Sequence, residues 1–143
     1  MGKRLNESFC DAFMELDKRC CEIFGVVSGG VTEYINRLNN ARFAPGRDEA
    51  LPRLVRYRNL RNKMLHEPGA LRKITEITKA DIKWVRRFDR DLAKRRDPIS
   101  VYLRKARAYA RRRRFGRYVT VGAVILLIVI GVVVALVTCS NPA

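Results

Sequence analysis

Apolar residues recur near the start of the chain at helical spacing. Leu5, Phe9, Phe13, Leu16, Cys20, Ile23 and Phe24 fall on one stripe, so residues 5–24 read as an amphipathic helix. Gly25 ends or bends it, and Ser28-Gly29-Gly30 is a turn signal in which Ser28 can cap the next helix. Val31, Tyr34, Ile35 and Leu38 mark a short helix over 31–40, and Arg42 to Asp48, with Pro45-Gly46, reads as a loop. A third helix is predicted from about Glu49 to Leu65, with Pro52 in its first turn. Leu51, Leu54, Val55, Leu60, Met64 and Leu65 supply its apolar content. Glu67-Pro68-Gly69 stops it, because the residue before a proline avoids the helical region. Thr78 and Asp81 have capping-box spacing, with Asp in place of Glu. The helix they open is expected to reach about Arg96 and to bury Ile82, Trp84 or Val85, Phe88 and Leu92. Asp97-Pro98 starts a further segment, in which Ile99, Val101, Tyr102, Leu103, Ala106, Tyr109 and Ala110 alternate with arginines as far as Gly116. No stretch keeps a two-residue alternation and no repeat appears.

The pattern changes at Val119. From there to Val137 the chain runs 19 residues without a charge. That is about the length needed to cross a bilayer core of roughly 30 Å at about 1.5 Å per residue. A globular helix needs apolar residues on one face only, whereas this segment has them on all. The fold class expected is all-α: a small bundle of about four helices, a basic juxtamembrane helix and one C-terminal transmembrane helix. The expected organisation is a cytoplasmic helical domain over 1–97, the juxtamembrane helix over 98–117, the span over 118–138 and a short external tail over 139–143. Tyr118 suits an interfacial anchor, and Gly131 with Ala135 forms a small-residue pair that permits close helix approach. Met1-Gly2-Lys3-Arg4 leads into Asn6, Glu7 and Asp11, which is not a secretory signal peptide.

Charge orients this arrangement. The chain has 30 Lys and Arg against 14 Asp and Glu, a formal net charge of +16. Arg111, Arg112, Arg113, Arg114 and Arg117 flank the span on its N-terminal side, and residues 138–143 carry no basic residue. The positive-inside rule then predicts a single-pass protein of the cell (inner) membrane with its N-terminal domain in the cytoplasm. The same arginines are expected to attract anionic lipid headgroups, with a nucleic-acid surface as the other reading. The remaining excess is uneven. Residues 1–40 hold five basic and six acidic residues, whereas 41–103 hold 17 and eight.

The four cysteines, Cys10, Cys20, Cys21 and Cys139, include no C-x-x-C pair, and a cytoplasmic domain argues against structural disulfides. Cys10 and Cys20 are expected as small core residues. With one histidine and no clustered carboxylates, no metal site is expected, and no glycine loop with a following lysine suggests a nucleotide. No cofactor is predicted.

The single histidine closes the stretch Arg56-Tyr57-Arg58-Asn59-Leu60-Arg61-Asn62-Lys63-Met64-Leu65-His66. On a helix, Arg58, Asn62 and His66 share a face, while Arg61 lies about 140° from His66 at about 100° per residue. A frayed last turn at Glu67-Pro68 would let His66 swing toward Arg61. A histidine that titrates near neutrality, an arginine that stays charged and an amide to orient them suit phosphodiester cleavage without metal. Arg53, Arg56, Arg58, Lys63, Arg72 and Lys73 would attract an RNA backbone. The bland alternative is a histidine that interacts with the helix C-terminus.

The stretch resembles the R-x(4-6)-H motif of the HEPN superfamily, with Arg61 and His66 at its two invariant places and Asn62 at the polar position after the arginine. The longer segment, from Leu54 through Glu67-Pro68-Gly69 to Thr78, resembles small bacterial proteins of the DUF6548 type. The HEPN resemblance implies a homodimer in which two Arg/His sets face one cleft, and RNA cleavage that leaves a 2′,3′-cyclic phosphate. It also implies a place in stress, phage-defence or toxin–antitoxin systems, with an antitoxin or other regulator as a further partner. Pro68 stands where some toxin members carry a tyrosine that an antitoxin modifies, which puts that regulation in doubt. The leading expectation is therefore a membrane-tethered endoribonuclease. Its alternatives are a non-catalytic RNA- or protein-binding module of the same fold and a small membrane-active toxin.

Overall fold

The computed structural model describes residues 2–140, with side chains described for 4–115, 118–133 and 136. Six helices follow one another: α1 (Gly2–Phe24), α2 (Gly30–Asn40), α3 (Arg47–His66), α4 (Ala70–Lys73), α5 (Lys79–Ala93) and α6 (Pro98–Ser140). No strand occurs among the described residues, so the chain is all-α. It divides into two units, Met1–Leu103 and Arg104–Ala143. Asn141, Pro142 and Ala143, most of the expected tail, lie outside the described residues.

In the first unit α1 is the hub, touching α2, α3, α4 and α5. Its stripe works as its spacing predicts: Phe9, Phe13, Leu16 and Cys20 are buried, while Ile23 near its end stays half exposed. Seven aromatic side chains form an unbroken chain that leaves α1 and returns to it. Phe13 meets Phe9, Phe9 meets Tyr57 of α3, Tyr57 meets Trp84 of α5, and Trp84 stacks on Phe88 with ring centroids 5.0 Å apart. Phe88 then meets Tyr34 of α2, which meets Phe24 of α1. Such pairs add about 0.5–1.5 kcal/mol each beyond the area they bury. Both tyrosines carry their hydroxyls to carboxylates. Tyr57 donates to Asp81 Oδ1 at 2.7 Å, and Tyr34 donates to Asp97 Oδ2 at 2.9 Å.

The helix ends follow local chemistry where it is strong. Glu67 is extended (φ −96°, ψ 124°), so α3 stops where Pro68 requires. The capping box of α5 is complete: Thr78 accepts from the Asp81 N–H, and Asp81 accepts from the Thr78 N–H. Other ends differ from expectation. Ser28 caps nothing; α2 starts after Gly29 in the left-handed region (φ 68°), and the Val31 N–H is met by Asp17 Oδ1 of α1 at 2.8 Å. Gly46 (φ 74°) starts α3 at Arg47, which puts Pro52 inside the helix rather than in its first turn. The chain turns left-handed at Arg95 (φ 53°), so α5 ends at Ala93 rather than Arg96. Val85 is the fully buried member of the Trp84/Val85 pair. The four-residue α4 has no counterpart in the sequence pattern.

α6 covers the expected juxtamembrane and membrane segments as one helix. Asp97 precedes it and accepts from the Ser100 N–H at 3.1 Å, a cap in the usual sense. By length and composition α6 is the one described helix able to cross a membrane, and none of its apolar window is buried.

Two outcomes test this packing. A Cβ at Gly30 would collide with the Asp17 carbonyl and the Cys21 N–H of α1, both backbone. Gly30→Ala in the full chain in detergent should therefore lower stability by about 1–3 kcal/mol in thermal unfolding, as overpacked sites do. Burial alone would raise the Asp81 pKa, but hydrogen bonds from Thr78 and Tyr57 outweigh it and hold the carboxyl below its ordinary value. Stability from Asp81 is therefore full above about pH 4 and lost as pH falls through the lowered folded value. Asp81→Asn should flatten that part of the acid-unfolding profile.

Candidate functional site

The motif residues occupy the last two turns of α3, and the helix stays regular through His66. The Glu67 N–H still bonds the Lys63 carbonyl at 3.0 Å, so the last turn does not fray and His66 does not swing toward Arg61. Their separation of about 140° around the axis is kept. Asn62 provides the link instead. Arg61 Nη1 donates to Asn62 Oδ1 at 3.3 Å, which bends the guanidinium toward the face that His66 shares. His66 and Asn62 are exposed, and Arg61 is partly buried.

Arg61 is anchored from beneath. Its guanidinium lies close enough to Cys10 of α1 to pull that thiol's pKa down, against burial, which raises it more strongly. Cys10 Sγ in turn contacts Met64 Sδ at 3.6 Å. Arg61 Nε is buried without a hydrogen-bond partner. A desolvated donor on a charged group is costly until it meets an acceptor. The site therefore presents one half-paired cation, one amide and one free imidazole on a rigid helix end. That set can grip a phosphate and move a proton, but one copy does not bring Arg61 and His66 together.

The expected RNA-binding cations divide. Arg56, Arg58 and Lys63 lie within about 80° of His66 around α3, and Arg72 and Lys73 are exposed on α4. Arg56 reaches the Glu76 carbonyl at 3.4 Å and Arg58 reaches Asn59 at 3.4 Å, both weak contacts at the surface. Arg53 is different: it pairs with Glu49 at 3.6 Å and lies over the Trp84 ring. It belongs to the far flank of α3, beside a groove of about 380 Å³ lined by Glu49, Trp84, Arg87 and Asp91. That groove does not include Arg61 or His66. Among the membrane-flanking arginines, Arg111, Arg112, Arg113 and Arg114 are exposed; the side chains of Arg117 and Ala135 lie outside the described residues. Among the described residues no group of three or more His, Cys, Asp or Glu could hold a metal.

Sequence reasoning missed Asn6. It is a polar residue on the apolar side of α1, fully buried, and its Nδ2 donates to the carbonyls of Leu71 (2.9 Å) and Ile74 (2.7 Å). One amide thus holds α4, the segment that comes after His66-Glu67-Pro68-Gly69. The signal available was a polar residue beside the stripe; nothing local shows that two carbonyls lie opposite it.

The fold and this helix end define a small α-helical domain with a cationic α3 terminus, followed by an apolar helix. The chain belongs to DUF6548, a family of unknown function, whose model matches residues 7–120. The match takes in Arg61, His66 and the arginine-rich start of α6, and ends as the apolar run begins. No curated protein and no solved structure matches the chain.

Asn6→Asp replaces a donor by an acceptor facing two carbonyls. The variant should lose about 1–3 kcal/mol of stability. Amide hydrogen exchange should speed up at residues 70–74 more than along α5; equal change in both would mean Asn6 has no special hold on α4.

Proposed function

We propose that this protein is a membrane-tethered, HEPN-like, metal-independent endoribonuclease that cuts cytoplasmic RNA as a homodimer, in a stress, defence or toxin–antitoxin setting. The observation that carries the reading is the partly exposed guanidinium of Arg61, hydrogen-bonded to an exposed Asn62, on the same cationic helix end as an exposed His66. The outer nitrogens of such a guanidinium suit a phosphate oxygen, which they can hold as charge grows in the transition state. His66 takes the proton of the ribose 2′-hydroxyl, the 2′-oxygen bonds to phosphorus, and the bond from phosphorus to the 5′-oxygen breaks. A protonated imidazole, that of the second copy, gives the leaving 5′-oxygen its proton. The products are a 2′,3′-cyclic phosphate and a 5′-hydroxyl.

The unbroken end of α3 also supports the use of two copies. Arg61 and His66 of one chain diverge around the helix, so a complete set of two imidazoles and an arginine about one phosphate draws on both copies. The span of α6 would put both copies in one membrane with the domain in the cytoplasm, on the side where the arginines lie. The alternative, a non-catalytic module that holds RNA or protein at the membrane, is favoured by the partial burial of Arg61 beside Cys10, which gives the arginine a place in the fold without catalysis.

Cleavage is read with the full chain in detergent, mixed RNA and EDTA. The parent should produce cyclic-phosphate ends, and Arg61→Ala and His66→Ala should each lower the rate by about 10² or more with folding intact. A folded, dimeric parent that leaves every RNA uncut overturns the enzyme reading in favour of the module.

A further inference from the structure

α6 of the second unit carries more positive charge than membrane topology uses. Arg104, Lys105, Arg107, Arg111, Arg112, Arg113 and Arg114 are all exposed, and none makes an ion pair or hydrogen bond among the described residues. No acidic residue occurs after Asp97. The helix is continuous from this segment into the apolar run. Its rise therefore acts as a ruler. Counted from Tyr118 at about 1.5 Å per residue, Arg114 stands about 6 Å from the start of the apolar run and Arg111 about 10 Å. Arg107, Lys105 and Arg104 stand about 16, 20 and 21 Å away. The headgroup zone on one side of a bilayer is only about 5–8 Å deep, and screening at physiological salt removes attraction beyond about 8 Å more. Helical side chains also lean toward the N-terminus, which here is away from the apolar run. Arg112, Arg113 and Arg117 already serve the lipid headgroups. The outer three cations lie beyond their reach.

The outer cations continue a line. Arg104, Arg107, Arg111 and Arg114 are spaced three, four and three residues apart, which places them on one face within about 80° of arc. The four charges of that face form a row about 15 Å long, one about every 5 Å along the axis. Lipid charges lie in a plane across the helix axis. A line of cations along the axis is instead complementary to a linear polyanion. The family match also takes in this segment and stops as the apolar run begins.

We infer that the Arg104–Arg107–Arg111–Arg114 face of α6, with Lys105 beside it, is an RNA-backbone-binding surface. This rests on the proposed action on RNA and adds where substrate is captured, apart from the residues that would cut it. The surface reads phosphates and not bases, so binding is insensitive to sequence and steeply dependent on salt.

The test uses the full chain in phosphatidylcholine nanodiscs and a labelled 2′-O-methyl oligouridylate, which lacks the hydroxyl needed for cleavage. Arg104→Gln, Lys105→Gln and Arg107→Gln are combined in one variant. Three lost phosphate contacts should reduce the slope of log affinity against log salt by about 2 and weaken binding about tenfold or more near physiological salt. A control with Lys18→Gln, Lys83→Gln and Arg90→Gln, equal in charge removed, should change the slope by less than half as much. Equal effects of the two variants would reduce the surface to net charge and overturn the inference. So would an unchanged slope in the triple α6 variant, or loss of parent binding to the oligonucleotide when phosphatidylglycerol is added, which would assign the outer cations to lipid. Separate assay of cleavage keeps the two readings apart. A parent that binds with the predicted slope but cuts nothing removes the enzyme and leaves the surface. A parent that cuts while the α6 variant binds as well as it does removes the surface and leaves the enzyme.

Discussion

The bundle depends on α1 being covered along its length, and the chain of aromatic rings shows how that is achieved. Phe9, Phe13 and Phe24 are contributed by α1 itself, and the rings between them come from α3, α5 and α2. No other helix is wrapped in this way. Each ring fixes the position of the next, so a displacement of one helix is felt around the circuit. The two tyrosine hydroxyls prevent the circuit from being merely greasy: each is pinned to a carboxylate that also caps a helix, Asp81 at α5 and Asp97 at α6. Packing and helix capping thus meet on the same carboxylate at each of these two points.

The features legible in the sequence were those governed by near neighbours. The stop at Glu67-Pro68, the Thr78–Asp81 box and the apolar stripe of α1 all follow from residues within one or two turns. The features not legible were set from across the fold. Ser28 looks like a cap, but Asp17 of another helix takes that task because Gly30 lets the two backbones close in. Asn6 looks like a flaw in an apolar stripe until the carbonyls of Leu71 and Ile74 appear opposite it. Pro52 suggests a helix start, yet a left-handed Gly46 lets the helix begin five residues before it. At the candidate site the identities and the helical setting of Arg61, Asn62 and His66 were readable. The influence of Arg61 on Cys10 and its stranded Nε were not, because they depend on how α1 and α3 meet.

The charge distribution separates into parts with different physical tasks. The first forty residues are nearly neutral, which suits a hub helix whose outer face carries both signs. The excess of the next sixty residues lies largely on α3, α4 and α5, and part of it is already committed within the fold: Arg53 to Glu49 and Trp84, and Arg87 to Asp91. Arg19 is likewise held by Asp89, where it ties α1 to α5. Exposed cations outside these pairs include those at the end of α3 and the start of α6. Exposed arginines without partners are held apart from one another by repulsion, and any polyanion that reaches them relieves that repulsion as well as making contacts.

The dependence of α1 on distant partners also sets an order of events during synthesis. α1 is made before the helices that cover its aromatic face and the amide of Asn6. Its partners arrive over the next seventy residues, and the last of them, Leu92 near the end of α5, is made before the first residue of the apolar run. Long-range pairing of this kind delays closure and exposes apolar surface meanwhile. By the time Val119 is added, however, every residue the bundle buries has already been made. Among the described residues the core of the bundle is thus drawn entirely from the chain that precedes the apolar run, and the bundle borrows no hydrophobic surface from it.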